Sequence, residues 1–156
     1  MYRAALLGVV CALGVVCALG VAAQPRASDL PGAGPDAALQ AALADYARGD
    51  WDSAWFRLWG LAQQGNPAAQ FDLAQLYRFG KGIPADLHLA FMWYEKAAAQ
   101  GHGYAQYNLG VMYEFGQGTT PDLAQARAWY SRAAAQNVAG SRAALDRLDL
   151  AAGPSH

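Results

Sequence analysis

The feature that most constrains this chain is a segment that occurs twice without a gap. Residues 66–101 read NPAAQFDLAQLYRFGKGIPADLHLAFMWYEKAAAQG, and residues 102–137 read HGYAQYNLGVMYEFGQGTTPDLAQARAWYSRAAAQN; sixteen of the 36 aligned positions are identical. Ala69 returns as Ala105, Leu73 as Leu109, Tyr77 as Tyr113, Gly80 as Gly116 and Gly82 as Gly118. Asp86, Ala90, Trp93 and Tyr94 return as Asp122, Ala126, Trp129 and Tyr130. A period of this length belongs to stacked repeats, in which each unit buries its apolar face only against its neighbours.

Each unit reads as helix, turn, helix. Ala69, Leu73, Leu76 and Tyr77 lie at steps of four, three and one, which is one stripe of a helix. Asn66 can cap that helix, and Pro67 suits its first turn, where no backbone N–H is needed. Gly80 and Gly82 stop it, because glycine accepts the left-handed conformation that closes a helix. Asp86 is placed to cap a second helix, whose stripe is Ala90, Trp93, Tyr94, Ala97 and Ala98. The alanines allow close helix crossing, and Trp93 and Trp129 are expected to fill the space between neighbouring pairs.

The pattern Ala…Leu-Gly/Ala…Tyr…Gly-x-Gly…Asp…Ala…Trp-Tyr…Ala-Ala resembles the Sel1-like repeat (SLR), a relative of the tetratricopeptide repeat. The likeness is close over 66–101 and 102–137 and loose over 36–65, with Ala74 replacing a Gly in the first copy and Asn137 replacing the closing Gly of the second. It implies an all-α fold, a right-handed α–α superhelix of about three helical pairs plus a C-terminal capping helix. It also implies a protein-interaction role, with the first helix of each pair lining a concave face. Aligned on Leu73-Ala74-x-x-Tyr77, the positions off the packing stripe are Ala68, Phe71, Gln75 and Arg78 in one repeat. In the next they are Tyr104, Tyr107, Val111 and Glu114. These differ between copies while the stripe agrees, as expected if one set binds a partner and the other builds the scaffold. Phe79 and Phe115 also lie off the stripe, but their identity marks them as expected core.

The flanks are different in kind. Residues 1–23 carry one charge, Arg3, then an apolar run ending in small residues, the plan of a signal peptide with cleavage after Ala23. Retention of the leader as a membrane anchor is the alternative. Val10 and Val16 stand before Cys11 and Cys17 where lipidation takes a small residue, so lipidation is disfavoured. Residues 24–36, with three Pro and no period, read as a disordered linker; 37–65 as a degenerate helical pair with a shortened turn; 138–150 as a capping helix; and 151–156 as a frayed tail.

Both cysteines fall in the leader, so the chain after residue 23 has no thiol and no disulfide. It carries 10 basic and 12 acidic residues and no basic patch, which argues against nucleic acid. His88, His102 and His156 show no metal-ligand spacing, no Gly-x-Ser-x-Gly occurs, and Glu95 and Glu114 share no motif. His88 reads as a solvated surface side chain. Gly80-Lys81-Gly82 lacks the rest of a phosphate loop and reads as helix closure.

No catalytic residue, metal or cofactor is therefore expected. The expectation is a monomeric, exported bacterial scaffold, periplasmic or secreted, that binds a protein or peptide and meets a membrane only through an uncleaved leader. Two alternatives stay open: a secreted enzyme or enzyme regulator acting on cell-wall material, and a membrane-tethered envelope assembly factor.

Overall fold

A computed structural model describes residues 34–152. The leader, its cleavage site, residues 24–33 and residues 153–156 lie outside the described residues. The helices are α1 (Pro35–Arg48), α2 (Trp51–Gln63), α3 (Pro67–Phe79), α4 (Leu87–Ala99), α5 (Gly103–Phe115), α6 (Leu123–Ala135) and α7 (Ser141–Ala152). The described residues form no strand. α1 opens at Pro35, so the last two residues expected in the linker are helical. α7 runs to Ala152, so the first two of the expected tail are helical as well.

Packing is strongest between chain neighbours, α1 with α2 through to α6 with α7. The buried set is the expected stripe: Ala69, Leu73 and Leu76 of α3, Ala90, Trp93 and Tyr94 of α4, and Ala105, Leu109 and Met112 of α5. Gly110 stands where α3 has Ala74, and a Cβ there would lie 2.7 Å from the Tyr130 ring, so the second pair crosses too closely for any side chain. α7 is the first helix of a further repeat in register. Leu145 and Leu148 stand 36 residues after Leu109 and Met112, and Ala144 and Leu148 bury against Ala126 and Tyr130.

The starts of α2 to α6 are each capped by the preceding side chain. Asn66 Oδ1 accepts from Ala69 N at 3.0 Å, Asp86 Oδ1 from Leu89 N at 2.9 Å and Asp122 Oδ1 from Gln125 N at 3.0 Å. At the start of α5 the cap is His102, whose Nδ1 accepts from Ala105 N at 3.2 Å. Gly80 and Gly116 close α3 and α5 in the left-handed region, both at φ 64°. Asn137, in place of a closing glycine, takes φ 56° and is the one non-glycine at positive φ among the described residues.

The second glycine of each Gly-x-Gly has a different task. A Cβ on Gly82 would lie 2.1 Å from Trp51 Cβ, and one on Gly118 would lie 2.1 Å from Leu87 O. Trp51 and Leu87 are the first residues of α2 and α4, so each loop presses its backbone on the outer helix of the preceding pair. Helix closure explains the first glycine of each loop and not the second.

At the opposite end of the pairs a glutamine ladder does the joining. Gln70 and Gln106 are buried, and each donates to a carbonyl of the preceding pair, Ala62 O and Ala98 O, both at 3.1 Å. Each then accepts from the outer helix of its own pair, Gln100 Nε2 to Gln70 Oε1 at 2.7 Å and Gln136 Nε2 to Gln106 Oε1 at 2.8 Å. A buried amide with both halves partnered adds direction to an otherwise apolar interface.

The first pair departs from the repeat in a paired way. Asp45 stands four residues before Gly49, as Leu76 stands before Gly80, and Arg57 stands 36 before Trp93. The buried Asp45 carboxylate takes Arg57 Nε at 2.8 Å and also the Arg48 guanidinium. An ion pair thus replaces two apolar side chains, and a buried charge without it would carry a large desolvation cost.

Candidate functional site

The eight residues expected on the binding face divide into two groups. On α3, Phe71, Gln75 and Arg78 are half-buried and make directed contacts. Gln75 Oε1 accepts from Tyr94 Oη at 2.5 Å, and Arg78 Nη1 donates to Asn108 Oδ1 at 3.0 Å. The Phe71 ring stacks on His102 at 4.6 Å and lies 6.4 Å from Tyr104, so three aromatic rings meet across the boundary between repeats. Tyr104 is the open member, 60% exposed. Ala68 is half-buried one turn before Phe71.

On α5 the remaining residues are turned to internal use. Tyr107 and Val111 pack on the Tyr130–Ala144–Leu148 cluster, with the Tyr107 ring 5.6 Å from Tyr130. Glu114, 9% exposed, accepts from Tyr130 Oη at 2.7 Å and from Arg147 of α7 at 2.6 Å. Burial and the Glu114 carboxylate push the Tyr130 hydroxyl well above the phenol range. Tyr94 is pushed to about 12 by burial, and Arg78 opposes that rise.

Three side chains on this face were not singled out from the sequence. His102 is both cap and aromatic partner; burial lowers its pKa, and the cap bond needs its Nδ1 unprotonated. Asn108 anchors Arg78. Asp72, 36 residues before Asn108, is half-buried, and burial pushes its carboxyl up to about 6. Comparing the repeats by register would have exposed all three, since His102 aligns with the cap Asn66 and Asp72 with Asn108.

Several other expectations are corrected. Phe79 and Phe115 are 57% and 60% exposed, not core. Each ends its helix at the glycine cap, where neighbouring helices do not cover it. Trp93 is buried at 7%, but Trp129 is half-buried, because among the described residues no outer helix follows α7 to cover it; the Arg132 guanidinium lies 4.3 Å from its ring centroid. His88 is exposed, with Nδ1 3.2 Å from Gly118 O. Elsewhere an open cleft of about 370 Å³ lies between α2 and the α3–α4 loop, lined by Asp52, Ser53, Trp55, Phe56 and Ile83.

The Sel1 repeat family model matches residues 67–102 and 103–138, the two units that carry this geometry. A Sel1 repeat protein from Oxalobacter formigenes, known from its crystal structure, is 36% identical over 72% of this chain and 88% of its own, with a TM-score of 0.67. The chain belongs to the Sel1 repeat family. A second Sel1-type structure, c5321, a protective antigen of uropathogenic Escherichia coli with an SLR fold, is 28% identical at a TM-score of 0.70. That match covers 74% of this chain and 26% of the antigen. Helicobacter pylori cysteine rich protein B shares the fold at 16% identity and a TM-score of 0.57, over 70% of this chain and 92% of its own. No curated protein matches the chain. Sel1 repeats in general mediate protein–protein interaction.

Proposed function

We propose that this Sel1 repeat protein is an exported, monomeric scaffold of the bacterial cell envelope, its leader removed after Ala23, that holds a protein or peptide against the face formed by α3 and α5. The observation that carries the reading is the contrast between the two repeats. Their buried stripe is held nearly constant, whereas Ala68, Phe71, Gln75 and Arg78 become Tyr104, Tyr107, Val111 and Glu114. Stacking explains the constancy and leaves the variation free to serve recognition. Within that face the Phe71–His102–Tyr104 cluster is the accessible part, with the open ring of Tyr104 suited to anchor a partner. Glu114 and Val111 support the face from beneath, because α7 occupies them.

The test is quantitative capture of envelope proteins by the chain from Gln24 onward, wild type against Tyr104→Ala. A partner retained by wild type and lost from the variant, with equal melting temperatures, supports the reading. Equal capture by both removes Tyr104 from it. Intact mass of the periplasmic protein reads the export proposal, which a retained leader or a lipid adduct on Cys11 or Cys17 overturns.

A further inference from the structure

The repeats join across the α3–α5 face by a polar rung, Arg78 Nη1 on α3 to Asn108 Oδ1 on α5 at 3.0 Å. One repeat earlier, the place of Asn108 is held by Asp72. The place of Arg78 is counted from the helix-closing glycine: Arg78 stands two residues before Gly80, and Ala47 stands two before Gly49 on α1. The rung is therefore half-built. α3 presents an acceptor stronger than Asn108, and α1 offers a methyl group where a guanidinium would be.

The Asp72 carboxylate bears the marks of a missing partner. It is half-buried, yet among the described residues no cation reaches within 4.0 Å of it, and no hydrogen bond to it is formed. The Asp72 carboxylate acts on the Tyr94 hydroxyl of α4, on which Arg78 of its own helix and Tyr46 of α1 also act. Arg78 is engaged by Asn108, and Gln75 by Tyr94. Removal of the carboxylate from water without a donor raises its pKa.

We propose that Asp72 is the anchor for a basic side chain, arginine or lysine, of the bound protein or peptide, which completes the rung that Ala47 leaves open. The proposal rests on the reading of the α3–α5 face as the binding surface, and gives that surface its charge preference. A guanidinium matches a carboxylate by two parallel hydrogen bonds. A divalent metal is a poorer occupant. It needs several oxygen ligands, and no group of three His, Cys, Asp or Glu converges among the described residues.

The experiment uses four pools of nine-residue peptides, random except for a central Arg, Lys, Glu or Leu, titrated against the chain from Gln24 onward. The expected result is binding of the Arg or Lys pool at least tenfold tighter than the Glu pool, reduced at least tenfold by Asp72→Asn and unchanged by Asp146→Asn, an exposed acid on α7. Asp72→Asn copies what α5 already has, so a melt at or above that of wild type shows that lost binding is not unfolding. Ala47→Arg is the second variant: it supplies the absent cation within the chain and should abolish the Arg preference. Equal affinity for the Arg and Glu pools, or an Arg preference that survives Asp72→Asn, overturns the proposal. Leu-pool or Glu-pool binding lost with Tyr104→Ala but not with Asp72→Asn keeps the face and removes the cation. Failure of every pool to bind overturns both.

Discussion

Arg147 of α7 closes on Glu114 of α5 with Nη2 2.6 Å from Oε2 and 2.9 Å from Oε1, while Tyr130 donates to the same carboxylate from the other side. The last helix is thereby tied to the face that the repeats present. Arg147→Ala leaves the nearly buried Glu114 with one donor. The expected cost is about 1–2 kcal/mol, the range for a hydrogen bond to a charged group at a half-exposed site. Hydrogen exchange should quicken in α7 before the repeats respond. A double-mutant cycle with Glu114→Gln should show coupling, and strict additivity would show that the pair contributes nothing.

His102 caps α5 through an unprotonated Nδ1, and burial lowers its pKa. The unfolded chain therefore binds the proton more readily, so stability is full above about pH 6.5 and falls as pH drops below it. Asn66 performs the same cap without titrating. His102→Asn should abolish that fall. Thermal melts of both proteins from pH 7.5 to 5 should diverge only below about 6.5.

Asp72 titrates with the opposite sign. Its carboxyl is pushed from 3.8 up to about 6, so the folded state holds the proton more firmly, and stability is lost as pH rises through that range. Asp72→Asn should leave stability at pH 4 unchanged and raise it at pH 7. Two pKa units correspond to about 3 kcal/mol, and the remaining access to water reduces the expected gain to about 1–2 kcal/mol. Chemical denaturation at the two pH values reads it directly.

The pressed glycine of the loop also separates experimentally from a glycine in the α4–α5 turn that meets no neighbour. Gly118→Ala drives a methyl into the Leu87 carbonyl, which no side-chain rotation relieves, at φ 72°. The expected cost exceeds about 3 kcal/mol, because backbone must move. Gly101→Ala sits at φ 90° with open space around it and should cost about 1 kcal/mol, the conformational strain alone. Equal costs would show that the loop does not press on α4.

What could be read from the sequence was whatever repeats for a packing reason. Leu73, Ala90 and Tyr94 recur because both units bury the same stripe, and Asn66 and Asp86 cap because short polar side chains before a helix do so. Recurrence misled at Phe79 and Phe115, where identity does not mean burial. It misled again at Trp129, which recurs from Trp93 yet is only half-buried among the described residues. The glutamine ladder was visible as Gln70, Gln100, Gln106 and Gln136 standing invariant among apolar residues, a signal that asks which backbone groups they satisfy. The Asp45–Arg57 pair and the unfinished rung at Asp72 were not legible, because the shortened first turn hides the register until the helices are in place.

The glutamine ladder holds one end of each pair and the pressed glycine loop holds the other. Two separated fastenings leave no free swivel between units, so the angle at which α3 and α5 meet is set before any partner arrives. Such a surface acts as a template rather than a clamp. It pays little ordering entropy on association and rejects shapes that do not already fit, so selectivity for the partner is written into the spacing of the repeats as much as into the side chains they display.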